Sequence, residues 1–130
     1  MKVLITGGAG FIGSHLAEHF YERADVRILD DLRTGDRRTT RLRGRNFTQA
    51  SILDAAALRA AVAGVDLVFH LAAMVSVQES MQTPGTCVET NVLGTLNVLQ
   101  AAADAGVRKL IFASSAAIYG NDPPVPTSES

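Results

Sequence analysis

The chain has 130 residues, 47% of them hydrophobic, a size and composition that support one folded domain and exclude intrinsic disorder. Twelve basic against thirteen acidic residues give a net charge of −1, so there is no global attraction to nucleic acid or to an anionic membrane, and neither is expected as a partner. No apolar run is long enough to span a bilayer, the start MKVLITGG lacks a secretory pattern, and the single cysteine, Cys87, can form neither an internal disulfide nor a cysteine zinc cage, which together point to the cytoplasm.

The first strand is expected over Lys2 to Thr6, a buried Val-Leu-Ile run. Phe11 to Tyr21 has a helical pattern with Ile12, Leu16 and Phe20 on one stripe, and Val26 to Asp30 reads as the second strand. A loop or broken helix leads to a short third strand near Asn46 to Ala50. Asp54 is placed to cap a helix running to Val62, and Asp66 to His70 forms the fourth strand. Thr83 and Pro84 read as the cap and first residue of a long helix that ends near Ala105, where Gly106 supplies a left-handed stop. Val88, Val92, Leu96, Leu99 and Ala103 make its expected apolar face. Lys109 to Ala113 is the last strand, after which Pro123, Pro124 and Pro126 oppose regular structure. Strands alternating with crossover helices predict an α/β fold, a doubly wound parallel sheet covered on both faces.

The first strand opens into Thr6-Gly7-Gly8-Ala9-Gly10-Phe11-Ile12-Gly13, where two glycine patterns overlap. Gly8-x-Gly10-x-x-Gly13 is the usual dinucleotide fingerprint, and Gly7-x-x-Gly10-x-x-Gly13 is its variant with one more residue in the turn. In either pattern the first glycine turns the chain, the middle one lets backbone approach a pyrophosphate, and the last lets helix pack on strand. The helix N-terminus adds free N–H groups and a positive dipole. A glycine pattern alone is also met in plain tight turns. Here it joins a strand to a helix within a βαβ unit, the context that cofactor binding requires.

Asp30 ends the second strand 17 residues beyond Gly13. An acid there accepts hydrogen bonds from the adenosine ribose hydroxyls and repels a 2′-phosphate, selecting NAD over NADP. Six basic residues, from Arg33 to Arg45, follow. They could hold a 2′-phosphate or another anionic partner, but a solvated loop face is the commoner use of such a run.

Taken together, Thr6 to Gly13, Leu29-Asp30-Asp31-Leu32, His70-Leu71-Ala72-Ala73, Asn91-Val92-Leu93-Gly94-Thr95 and Ser114-Ser115-Ala116-Ala117-Ile118-Tyr119-Gly120 resemble the ordered motifs of the extended short-chain dehydrogenase/reductases. The nearest branch is the nucleotide-sugar epimerases of the UDP-glucose 4-epimerase type. The resemblance implies an NAD-binding Rossmann fold over residues 1–130 with strand order 3-2-1-4-5, stopping after the fifth strand, and a UDP-sugar substrate. Gly7, Gly10, Phe11 and Ile12 would hold the pyrophosphate. Asp30 and Asp31, with Leu32 between them and the loop, would take the adenosine ribose, and Thr34 and Gly35 would close over it. Ile52 would flank the adenine, preceded by Ser51 where relatives carry an acid. Leu71, Ala72 and Ala73 would line the nicotinamide side. Val75 cannot supply the lysine that some epimerases place nearby. Thr90 would face the nicotinamide ribose, and Asn91 either braces the neighbouring strand or is a satisfied buried amide. Ser115 is the expected catalytic residue, hydrogen-bonding the sugar hydroxyl that is oxidised, while Ser114 is the expected capper of local backbone. Ala116-Ala117 stands where the related dehydratases carry an Asp-Glu pair, which disfavours dehydration.

The family's general base is a tyrosine with a lysine four residues later. Tyr21 is followed at that spacing by Asp25 and Tyr119 by Pro123, so the sequence contains no such pair. The resemblance therefore implies an amino-terminal, cofactor-binding portion, without turnover of its own and prone to dimerise or self-associate through its last strand. The alternative is a non-catalytic dinucleotide-binding or regulatory module. His15-Leu16-Ala17-Glu18-His19 matches a zinc motif, but the same helix already carries the glycine turn, and no metal is expected.

Overall fold

The Val-Leu-Ile run forms β1 (Lys2–Thr6), the middle strand of a five-stranded parallel sheet of order 3-2-1-4-5. The computed structural model describes residues 1–42, 46–122 and 124–129. After β1 come α1 (Phe11–Phe20), β2 (Asp25–Asp30), a short 3-10 turn (Arg37–Thr39), β3 (Phe47–Gln49), α2 (Ala55–Val62) and β4 (Leu67–His70). Then follow α3 (Val77–Gln82), α4 (Pro84–Val88), a π-helical stretch (Glu89–Gly94), α5 (Thr95–Asp104), β5 (Lys109–Phe112) and a 3-10 turn (Ala116–Tyr119). Val3 pairs with Val26 on one side and Leu67 on the other, so β1 has a partner on both edges.

Strand alternation divides the core into two layers. Leu4, Leu29 and Val68 point to the face covered by Leu58, Ala61 and Val62 of α2 and Val98, Ala101 and Ala102 of α5. Val3, Ile5, Val26 and Ile28 point to the other, where Ala17 of α1 packs with Leu16 and Phe20 beside it. The sheet is doubly wound, as its sequence pattern predicts. Asp54 caps α2 as expected, accepting from the N–H groups of Ala56 (2.9 Å) and Ala57 (3.0 Å). Gly106 stops α5 at φ +68°, and Val107 N–H reaches back to the Ala102 carbonyl at 2.9 Å.

Four expectations are corrected. The first concerns α3, which the sequence pattern does not announce: none of its residues is buried, so it carries no apolar stripe to read. Thr83 stands at the N-cap of α4 with Pro84 as the first helical residue, as expected, but it also closes α3, and its hydroxyl donates to the Glu79 carbonyl at 3.0 Å instead of capping the α4 N–H groups. The long helix buries a different face from the one expected. Gly94, Val98, Ala101 and Ala102 are buried, whereas Val88, Val92, Leu96 and Leu99 are 46–58% exposed. The predicted positions do line up with one another, but the side that meets the sheet is the one carrying the small residues Gly94, Ala101 and Ala102 with Val98, which let the helix lie close. On α1, Ile12 is 62% exposed, because the small residues Gly13, Ser14 and Ala17 are what let the helix lie close on the sheet. The Ala116–Tyr119 turn precedes the proline-rich stretch, of which Pro123 lies outside the described residues. Among the described residues, no helix is long and apolar enough to cross a membrane.

Candidate cofactor-binding site

The carboxyl ends of the strands open onto one cleft of about 720 Å³, whose wall runs from Asp30 and Ile52 past the glycine turn to Ser115. The turn's geometry separates the two overlapping glycine patterns. Gly7 has φ +71°, and a Cβ there would lie 2.7 Å from the Ala72 nitrogen. A Cβ on Gly13 would lie 2.2 Å from the Gly7 carbonyl oxygen, so this glycine lets α1 meet β1. Gly8 packs on Ile28, where a Cβ would fall 2.7 Å from its side chain. Gly10 differs from all three: a Cβ would meet only the Gly7 oxygen, at 3.3 Å. The left-handed turn at Gly7 suits Gly7-x-x-Gly10-x-x-Gly13, and Gly10 borders the cleft with the least protein around it of these four glycines. Ser14 N–H makes the bond to the Gly10 carbonyl (2.9 Å), and Gly10 has no side chain to cap the N–H groups of the first turn. Those groups, on residues bordering the cleft, have no intrahelical acceptor. An anion is the partner they fit.

Asp30 is 7% exposed and already bound on both oxygens: Oδ2 accepts from Ala9 N–H at 2.9 Å and Oδ1 from Leu32 N–H at 2.8 Å. A carboxylate has about four acceptor sites, so two remain for ribose hydroxyls. Asp31, Thr34, Gly35 and Ile52 line the same end of the cleft. Leu32 and Ser51 do not. Leu32, at φ 60°, turns toward the core layer under α1, and the Ser51 hydroxyl accepts from Leu53 N–H at 3.1 Å.

Arg33 borders the cleft and forms an ion pair with Glu79, joining the loop after β2 to α3. Arg37 lies 4.6 Å over the Phe47 ring, Arg38 pairs with Asp36 at 2.6 Å and Arg41 with Glu18 at 3.3 Å. These four members of the basic run are engaged within the chain. Arg43 and Arg45 lie outside the described residues.

Leu71, Ala72, Ala73 and Thr90 line the other half of the cleft, together with Thr95, to which sequence reasoning gave no role beyond its motif. Asn91 brackets the Met74 backbone: its Oδ1 accepts from Met74 N–H at 2.8 Å and its Nδ2 donates to the Met74 carbonyl at 2.9 Å. These two bonds satisfy the amide and at the same time tie its helix to the loop after β4, not to the strand itself. Ser115, not Ser114, caps the following turn, accepting from Ala117 N–H at 3.2 Å. That bond holds its oxygen and leaves the hydroxyl proton to donate at the cleft wall.

His15 Nδ1 lies 2.7 Å from the Phe11 carbonyl oxygen, and His19 Nε2 is 3.1 Å from Arg23 NH1. Among the described residues, no group of three or more His, Cys, Asp or Glu could hold a metal ion.

An elongated cleft of ligand size, an open helix N-terminus at Gly10 and an acid at the end of β2 fit a dinucleotide, and with the strand order they define a Rossmann-type dinucleotide-binding protein. The chain belongs to the NAD dependent epimerase/dehydratase family, whose sequence model matches residues 3–130. It is 39% identical over 138 residues to a UDP-glucose 4-epimerase of Erwinia amylovora, covering 99% of this chain and 41% of that one. It is 44% identical over 131 residues to a UDP-N-acetyl-alpha-D-glucosaminuronate decarboxylase of Bacillus cytotoxicus, covering 98% and 40%. The crystal structure of a UDP-glucose 4-epimerase from Stenotrophomonas maltophila, with bound NAD and formylated UDP-arabinopyranose, superposes with a TM-score of 0.88 at 38% identity, covering 100% of this chain and 41% of that one. The chain therefore spans about two-fifths of the length of each of these three proteins.

Proposed function

We propose that the chain is the NAD-binding portion of a nucleotide-sugar epimerase of the UDP-glucose 4-epimerase type, acting on a UDP-sugar in the cytoplasm. The observation that carries this reading is the single cleft that joins Asp30, Gly10 and Ser115. In it the free first-turn N–H groups of α1 meet the pyrophosphate, Asp30 accepts from the adenosine ribose, and the wall from Leu71 to Ala73 backs the nicotinamide. Ser115 donates to the sugar hydroxyl that is oxidised, its oxygen steadied by Ala117 N–H. Bound NAD supplies the hydride acceptor. No tyrosine of the sequence has a lysine four residues on, so nothing here takes the hydroxyl proton in the family's manner. The 130 residues by themselves are therefore expected not to interconvert UDP-glucose and UDP-galactose when assayed with added NAD. Turnover that tracks with the protein and disappears in Ser115→Ala would overturn that part of the reading.

Cofactor choice is tested by calorimetric titration, with NAD expected to bind more tightly than NADP. Asp30 also holds two backbone N–H groups, of which Asp30→Asn can keep one and Asp30→Ala neither, so the Asn variant is used and its melting temperature is read beside its affinity. Losing charge-assisted bonds worth about 1.5–3 kcal/mol should weaken NAD binding roughly tenfold or more and narrow the gap to NADP. Tighter binding of NADP by the unaltered chain would refute the assignment of Asp30.

A further inference from the structure

Under the cleft wall, three side chains from three elements form one hydrogen-bond chain. Thr6 ends β1 and is fully buried, His70 ends β4 and is 1% exposed, and Thr95 opens α5. Thr6 Oγ1 lies 2.7 Å from His70 Nδ1, and Thr95 Oγ1 lies 2.9 Å from His70 Nε2. Thr6 Oγ1 also accepts from the backbone N–H groups of Leu71 at 3.3 Å, a bond shared with the Thr6 carbonyl at 3.1 Å, and of Ala72 at 3.4 Å.

The direction of every bond follows from these partners. Backbone N–H groups only donate, so they occupy both acceptor positions of the Thr6 hydroxyl, whose one proton must go to His70 Nδ1. Nδ1 then carries no proton, and the neutral ring bears its proton on Nε2, which donates to Thr95 Oγ1. Burial pushes the pKa of His70 down to about 4, which keeps the ring neutral at physiological pH. Phe112 stacks on it with ring centroids 5.6 Å apart.

Leu71, Ala72 and Thr95 all line the half of the cleft nearest Ser115. We propose that His70 is a positioning residue for dinucleotide binding: as the Nε2–H tautomer it ties the Leu71–Ala72 backbone, through Thr6, to the first turn of α5, through Thr95, and so sets the spacing of the walls that receive the nicotinamide half. The proposal rests on reading this cleft as the NAD site. Asp30 and Ile52, at the adenosine end, take no part in the chain.

The test compares calorimetric affinities for NAD and for ADP, which lacks the nicotinamide half, in the unaltered chain, His70→Leu and His70→Asn. Leu fills the space without a polar atom and is expected to weaken NAD binding at least tenfold while ADP binding stays within twofold. Asn can keep the Thr6 bond but does not reach Thr95, so it should recover part of the loss. Equal losses for the two ligands, or none, would show that the ring only supports the fold. The 15N shifts of the His70 imidazole in the unaltered chain decide the tautomer without any substitution: an Nδ1–H tautomer, or a cation at pH 7, overturns the proposal even if His70→Leu does not fold. A chain that binds ADP and NAD normally but loses both alike in the variants refutes only the role of His70. Failure of the unaltered chain to bind NAD refutes the reading of the cleft and this inference with it.

Discussion

Gly10 and Gly13 stand three residues apart and are expected to fail differently when given a side chain. A methyl on Gly13 collides with the Gly7 carbonyl at 2.2 Å, so Gly13→Ala should lower the melting temperature sharply and abolish binding only as a consequence. Gly10 has φ −77°, and a Cβ there meets a single protein atom at 3.3 Å. Gly10→Val should therefore leave the circular dichroism and the melting temperature close to those of the unaltered chain, with NAD affinity falling at least tenfold. Survival of that affinity would mean that the turn serves the fold alone. His70 gives a second effect at this scale. Its folded pKa of about 4 lies below the ordinary 6.5, so between these values the unfolded chain holds more protons. The contribution of His70 is complete above about pH 6.5 and declines as pH falls toward 4, with roughly 2 kcal/mol gone by pH 5. Urea unfolding at pH 7.5, 6 and 5 should show the decline, and His70→Asn should flatten it.

At the scale of elements, α5 turns its buried face about its axis from the one its spacing suggests, and single substitutions report this directly. Val98→Ala should cost about 2 kcal/mol in urea unfolding, from lost burial and the space left behind, whereas Leu99→Ala should cost less than about 0.5 kcal/mol. The reverse order would restore the expected face. The five strands, α1, α2 and the stop at Gly106 were legible because short β-branched runs, an aspartate cap and a left-handed glycine are local signals. Helix α3 was not, since a helix that buries nothing leaves no period to find. Nor was the π-helical stretch, whose extra residue becomes visible only where Gly94 seats against Ile52. Most of the cleft could be read from its motifs, but the Arg33–Glu79 pair joins residues 46 apart, and the bonds of His70 depend on the meeting of three elements. Leu32 does not line the cleft, because its motif position sits in a left-handed turn, at φ 60°, and its side chain packs on the core layer under α1.

For the molecule as a whole, the described residues leave an apolar strip uncovered, made by Val88, Val92, Leu96 and Leu99. Strand β5 pairs only with β4 and presents its other edge, with Ile111 and Phe112 exposed beside it. Self-association is the expected result, since both features invite a second surface. Sedimentation velocity over a concentration series should show species larger than a monomer, and Leu96→Lys with Leu99→Lys should shift them toward monomer if the helix strip is the contact. A monomer at every concentration would show that neither surface suffices. The central position of β1 also has a consequence in time. Its Thr6 pairs with His70, 64 residues later. With synthesis at about 5–20 residues per second, the strand at the heart of the sheet waits roughly 3–13 seconds for that neighbour to be made. During this interval Val3, Leu4 and Ile5, all fully buried in the finished protein, have β2 on one side and nothing on the other. A nascent chain released or stalled before β4 thus presents the central strand of the fold, with its fully buried Val3, Leu4 and Ile5, to whatever binds unpaired strands in the cell.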